Sequence, residues 1–124
     1  MTSTPIEYFS DHLATINPSG GSSIVLACEH ASSYIPDDYN ALGLTAEDQS
    51  SHAAWNLGAL GVAQKLSRLL NAVLVASKAS RLLYDCNRPP NSTRAMPTRS
   101  DLIDIPGNKD LKAPEKSQRV KLFY

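Results

Sequence analysis

Net charge is missing from this chain: its 124 residues carry 12 Lys and Arg against 12 Asp and Glu. With no overall field, nothing recruits the chain to nucleic acid or to an anionic membrane surface. Long apolar runs are missing too. None approaches the roughly 20 residues that span a bilayer. The opening "MTSTPIEYFSDH" lacks the basic start and apolar core of a secretory signal, so a cytoplasmic protein is expected. Cysteine is scarce, two in all, and Cys28 and Cys86 lie too far apart for a CxxC redox pair or a zinc knuckle. They read as reduced, buried small hydrophobes at the ends of two core strands. HExxH, GxSxG and a phosphate-cradling glycine loop are all absent, which removes sequence support for those mechanisms. A dinucleotide-binding turn is equally unsupported, because the first apolar run leads into "EHASS" in place of glycines.

What is present fits one soluble domain with a modest core, at 42% hydrophobic and 19% charged residues. Residues 1–21 mix Pro, Ser and Asn without period and read as an N-terminal arm. Residues 22–86 read as a βαβ core. "SSIVLACEH" gives a continuous apolar strand, Ile24 to Cys28, with the pattern of a strand covered on both faces. From Ala46 to Asn71 the residues Trp55, Gly58, Val62, Leu66 and Leu69 recur at steps of three and four. That spacing predicts one long amphipathic helix with these residues toward the core, capped by Thr45 with Asp48 and stopped at Asn71. "AVLVAS" and "RLLYDC" read as short strands. Strand, helix, strand predicts an α/β fold with a mostly parallel sheet and flanking helices. Residues 87–113 form a long proline-interrupted loop, which argues for function, and residues 114–124 begin a helix. That helix ends on Val120, Leu122, Phe123 and Tyr124, an apolar stripe expected to lie exposed and to favour self-association.

Candidate chemistry gathers where strands end. His30 follows the first strand beside Glu29, and ligands collect at the carboxyl ends of strands in open α/β sheets. From position alone it reads equally as a metal ligand or as an idle loop histidine. His52, near the start of the predicted long helix, reads by itself as an ordinary helical histidine, and His12 as surface. Arg81 and Arg88 bracket Asp85 and Asn87, and guanidinium forks match a carboxylate or a phosphate. An acidic small molecule is the natural guest, while Asp85 reads as an internal partner of Arg81 or Arg88, and Arg94 and Arg99 as solvated.

Taken together, "VLACEHASSYIP", "SHAAWNLGALGVAQKLS", "SRLLYDCNRPP" and "AMPTRSDLIDIPGN" resemble the N-formylglutamate amidohydrolase family, from about Ser23 to the last residue. The resemblance implies a zinc-carboxypeptidase-like fold. It also implies metal-assisted removal of the formyl group from an N-formylated acidic amino acid such as N-formylglutamate, with a zinc-bound water as the attacking species. On that basis His30 and His52 become the expected zinc ligands, and Arg81, Asn87 and Arg88 the expected substrate contacts. Glu29 becomes a candidate base. Asn56 stands where the family commonly has Asp, and Ser33 where the related carboxypeptidases have Glu. Family members are longer, with a further metal His and the general base in their later part. The chain is therefore expected to be an N-terminal fragment, inactive alone. The alternative is a non-catalytic binding module for small carboxylate metabolites.

Overall fold

The computed structural model describes the backbone of residues 6–10 and residues 12–123. The sheet has four strands: β1 (Ile6–Ser10), β2 (Leu13–Ile16), β3 (Val25–Cys28) and β4 (Val73–Ser77), in the order β1-β2-β4-β3. β3 and β4 run parallel, with Leu26 opposite Leu74 and Cys28 opposite Ala76. β2 runs antiparallel to both β1 and β4. The sheet is therefore mixed, which corrects the mostly parallel expectation. The cause lies in the N-terminal arm, whose residues 6–10 and 13–16 pair as two antiparallel strands. Met1 to Pro5 of that arm lie outside the described residues.

The predicted helix over 46–71 is two helices, α1 (Ala46–Gln49) and α2 (Ala59–Leu70). Its local signals are in place. The Asp48 N–H donates to Thr45 Oγ1 at 3.1 Å, and Asn71 closes α2 in the left-handed conformation at φ 48°. Between the helices, tertiary bonds claim the carbonyls that a continuous helix would need. Ala53 O accepts from Arg81 Nε at 2.7 Å, Ala54 O accepts from Ser80 Oγ at 2.9 Å, and the Asn56 N–H donates to His30 O at 3.0 Å. Gly58 then turns the chain at φ 81° into α2.

One side of the core lies between the sheet and α2, where Cys28, Ala31, Leu74 and Ala76 meet Leu60 and Ala63. Small residues on this side of the helix let it approach the strands closely. The stripe Val62, Leu66 and Leu69, expected to face the core, lies on the opposite side of α2 and is exposed. β3 is likewise not covered on both faces, since Val25 and Ala27 are exposed.

The larger core lies under the long C-terminal loop and joins Leu42, Leu82, Leu83, Tyr84, Ile105 and Phe123. "RLLYDC" is no strand: the Leu83 N–H turns back to Ser80 O at 3.0 Å, and Leu82, Leu83 and Tyr84 are all buried. Side chains serve its backbone instead: Asn108 Nδ2 donates to Leu82 O at 2.8 Å and Arg119 Nη1 to Leu83 O at 3.0 Å. The loop itself contains a small hairpin, β5 (Arg99–Ser100) and β6 (Ile103–Asp104). The final helix, α3 (Ala113–Phe123), carries Pro114 in its first turn as expected. Its apolar end is not an exposed stripe. Phe123 is buried and stacks on Tyr84 at 5.2 Å and on His12 at 5.4 Å, and Val120 and Leu122 pack on the same cluster. Tyr124 lies outside the described residues. His12, expected at the surface, is half-buried against Phe123.

Candidate carboxylate site

The chain leaves β3 at Cys28 and turns at once through Glu29 and His30, while the buried segment after β4 brings Arg81 and Asp85 to the same place. His30 Nε2 lies 2.8 Å from Asp85 Oδ1, and His30 Nδ1 lies 3.2 Å from Arg81 Nη1. A guanidinium can only donate. Nδ1 therefore accepts from Arg81 and Nε2 carries the proton given to Asp85, so both ring nitrogens are engaged. Arg81 also donates from Nε to Ala53 O at 2.7 Å and from Nη2 to the carbonyl of His52. It fastens the 50–58 loop to the His30 ring. Asp85 accepts from the Asn87 backbone N–H at 3.0 Å, and Arg88 Nε approaches its other oxygen only to 4.0 Å. Asp85 thus forms the expected ion pair with Arg88, while its nearest side-chain partner is His30, which the sequence did not indicate.

Beside this cluster lies a cavity of about 460 Å³ whose wall includes Arg81, Arg88, Arg94 and Arg99, with Asp85 and Asp101 as its acids. Arg94 and Arg99 are exposed, as expected, and line this cavity together with the two arginines singled out from the sequence. The signal for them was present as arginines at short intervals in a proline-stiffened loop. What the sequence could not supply was the fold-back of β5–β6, which turns the loop onto itself. Arg99 Nη1 pairs across that hairpin with Asp104 Oδ1 at 3.4 Å. The Arg94 side chain makes no hydrogen bond or ion pair among the described residues. Asn87 is exposed and stands outside the cavity wall.

His52 sits on the loop between α1 and α2, and its ring pairs with Asp101 Oδ2 at 3.0 Å at an exposed position. The two imidazoles expected to share a metal thus face different carboxylates. Glu29 lines a separate groove between β3 and α2, with His30 and Asn56. Catalytic zinc is held by three protein ligands, and no group of three His, Cys, Asp or Glu side chains able to hold a metal occurs among the described residues. This chain by itself does not fit a catalytic zinc. The cysteines are free, and burial pushes the Cys86 thiol up to about 11, with the Asp85 charge adding to the rise and a Ser77 hydrogen bond opposing it. Burial, then the charge of Glu29, raises the Cys28 thiol as well. Neither is a ready nucleophile at neutral pH.

No helix among the described residues is long and apolar enough to cross a membrane. No curated protein matches the chain. Among solved structures, a gene product of Agrobacterium tumefaciens is similar at 49% identity with a TM-score of 0.88, over 91% of this chain and 45% of that one. The chain thus spans less than half the length of that relative. The model of the N-formylglutamate amidohydrolase family matches residues 22–124, a stretch that includes β3, the His30–Asp85–Arg81 cluster and the whole arginine cavity. By that match the chain belongs to the N-formylglutamate amidohydrolase family.

Proposed function

We propose that this chain supplies the substrate-recognition part of an amidohydrolase that cleaves the formyl C–N bond of an N-formylated acidic amino acid such as N-formylglutamate, on a zinc-carboxypeptidase-like fold. One observation carries the reading: four guanidinium groups share a cavity with only two carboxylates. That excess of positive charge, partly enclosed, suits a guest with one or two carboxylates. Arg88 and Arg94 are the forks least engaged by the protein, so they are assigned to the guest. Arg81 is anchored to the 50–58 loop and positions His30. In the reaction, water adds to the formyl carbon, the C–N bond breaks, and formate and the free amino acid leave. His30, held between Asp85 and Arg81 at the cavity wall, is the group able to hold or move a proton there. A second reading, carboxylate binding without chemistry, is favoured by the engagement of both His30 ring nitrogens.

Isothermal titration of the chain with N-formyl-L-glutamate and with N-formyl-L-glutamine tests the site. A charged hydrogen bond is worth about 1.5–3 kcal/mol, hence tenfold or more in affinity. The glutamate derivative should bind at least tenfold more tightly, and Arg88→Ala or Arg94→Ala should each remove most of that margin. Equal binding of the two ligands, unaltered by either substitution, would defeat the assignment. Formate release by a protein that includes the remainder of the family fold separates the enzyme from the binding module.

A further inference from the structure

A cavity of about 520 Å³ lies between the turn Asp37–Gly43, the turn Pro106–Asn108 and α3, and it shares no wall residue with the arginine cavity. Small-molecule sites commonly enclose roughly 300–1,000 Å³. Its two turns are locked together, since a Cβ on Gly107 would come within 2.6 Å of Leu42 Cα. Asn40, Ala41 and Leu42 hold φ values of 48°, 54° and 54°, a left-handed run that L residues adopt only when the surroundings impose it. Leu42, 1% exposed, anchors that run in the core, so this wall is set before any guest arrives. Into it α3 places Arg119, which is 3% exposed and has no carboxylate partner among the described residues. Its Nη1 donates to Leu83 O at 3.0 Å and to Asn108 Oδ1 at 2.6 Å, and Nη2 reaches Gly107 O at 3.3 Å. The Tyr39 ring centre lies 5.2 Å from its Cζ. The guanidinium still has donors to spare: Nε and one hydrogen of Nη2 have no acceptor among the described residues. A buried charge with open donors at a cavity wall is costly unless an anion meets it.

We propose that this cavity binds a free basic α-amino acid, whose carboxylate meets Arg119 and whose two cationic groups meet Asp38 and Glu115. The sign pattern of the wall selects the guest: one cation, Arg119, stands with two acids, Asp38 and Glu115. Neither acid has an ion pair among the described residues, and Glu115 accepts only the Lys112 N–H at 3.4 Å. A simple carboxylate would gain Arg119 but face both acids, and a simple amine would gain the acids but face Arg119. A molecule with one carboxylate, an α-ammonium and a cationic side chain answers all three charges. Pro106 and Leu111 in the same wall offer apolar surface to the aliphatic stem that joins those charges. Acylation removes the α-ammonium, so an N-formylated amino acid fits this cavity poorly. The site therefore does not depend on the reaction assigned above.

Isothermal titration of the 124-residue chain with L-arginine tests the site, alongside agmatine, which lacks the carboxylate, and N-acetyl-L-arginine, which lacks the α-ammonium. L-arginine should bind at one site, and agmatine about tenfold more weakly, because the charged hydrogen bonds to a buried guanidinium are lost. Agmatine probes Arg119 from the ligand side, since replacing a residue that holds Leu83 O and Asn108 would disturb the fold. Asp38 and Glu115 are exposed, so Asp38→Asn and Glu115→Gln should leave the thermal midpoint in place. Each should weaken L-arginine about two- to fivefold, the range of an exposed ion pair, and N-acetyl-L-arginine should lose a similar factor. Amide shifts at saturation, followed by NMR, should gather at residues 37–43 and 106–119. Agmatine binding as tightly as L-arginine overturns the proposal, as does L-arginine binding that both acid substitutions leave unchanged, or the absence of saturable binding. Competition by N-formyl-L-glutamate also overturns it, because that places both ligands in the arginine cavity. Failure of N-formyl-L-glutamate to bind at all would leave these readouts unmoved and would count only against the substrate assignment.

Discussion

Asp85 and Cys86 are sequence neighbours in different electrostatic situations. The carboxylate is tied to His30 and to the Asn87 N–H, while the thiol beside it is half-buried and held in its protonated form. Burial is the main cause that raises Cys86 from 9.0 to about 11, and the neighbouring negative charge of Asp85 acts in the same direction. Because the folded value lies above the ordinary one, this thiol favours the fold at every pH below about 9. That contribution is lost as pH rises from about 9 through about 11. Alkylation follows the thiolate, and a rise of two pH units leaves about a hundredth as much thiolate at pH 8. Iodoacetamide should therefore modify Cys86 about a hundredfold more slowly in the folded chain than in urea, as followed by mass spectrometry of its peptide. Comparable rates in the two states would show that the burial described for this thiol is wrong. The sequence marked both cysteines as buried and reduced; both are free, but Cys28 alone is buried and Cys86 is half-buried. It did not reveal that Asp85 belongs to His30, a residue far earlier in the chain.

Elements were legible where their signals are local. Thr45, Asn71 and Pro114 act on their own helix ends and perform the roles their positions suggest, while Asp48 contributes its backbone N–H to the Thr45 cap and not its carboxylate. The break between α1 and α2 was not legible, because it is imposed by donors on Ser80 and Arg81 that capture the carbonyls of Ala53 and Ala54. "RLLYDC" failed as a strand for a related reason. Its apolar pattern suits a strand, yet its backbone partners are side chains and scattered loop carbonyls, such as Ala54 O for Arg81 N–H and Ala95 O for Asp85 N–H, instead of a neighbouring strand. Asn108 carries the largest part: Nδ2 donates to Leu82 O at 2.8 Å and to Pro97 O at 2.7 Å, and Oδ1 accepts from Arg119 Nη1 at 2.6 Å. Arg119 is itself buried and has no carboxylate partner among the described residues. Burial pulls its guanidinium below the ordinary arginine range, and the charges of Tyr39 and Glu115 oppose that pull. Asn108→Ala would leave two carbonyls without these donors and remove one acceptor from the guanidinium. Each unsatisfied buried group costs about 1–3 kcal/mol, so a loss of about 3 kcal/mol in urea unfolding is expected. A change below about 0.5 kcal/mol, the range of an ordinary surface substitution, would mean that these bonds do not hold the segment. Asn108→Asp keeps the acceptor for Arg119 but removes both donors, and should recover only part of the loss.

At the scale of the whole molecule, two surfaces of opposite chemistry lie on either side of the His30 cluster. One is an arginine-walled cavity and the other an apolar groove bounded by an open strand. The zero net charge of the sequence hid the first, since its acids and bases balance only when summed over the chain. Helical periodicity found the Val62 stripe but could not say which of two apolar faces the sheet would take. Because the surfaces differ in chemistry, a ligand for one should be blind to changes at the other. A ligand that binds only the folded state stabilises it by about 2.7 kcal/mol at a hundred times its Kd. For a domain of this size that is a rise in Tm on the order of 10 °C. N-formyl-L-glutamate should produce such a rise in the isolated chain, and Val62→Glu should leave the rise unchanged, whereas Arg94→Ala should reduce it by about half. Added salt should also shrink it, because the Debye length falls from about 10 Å at 0.1 M to about 3 Å at 1 M and the long-range part of the arginine field is lost. A rise that survives Arg94→Ala and 1 M salt but disappears in Val62→Glu would place the ligand in the apolar groove and reverse the assignment of the two surfaces.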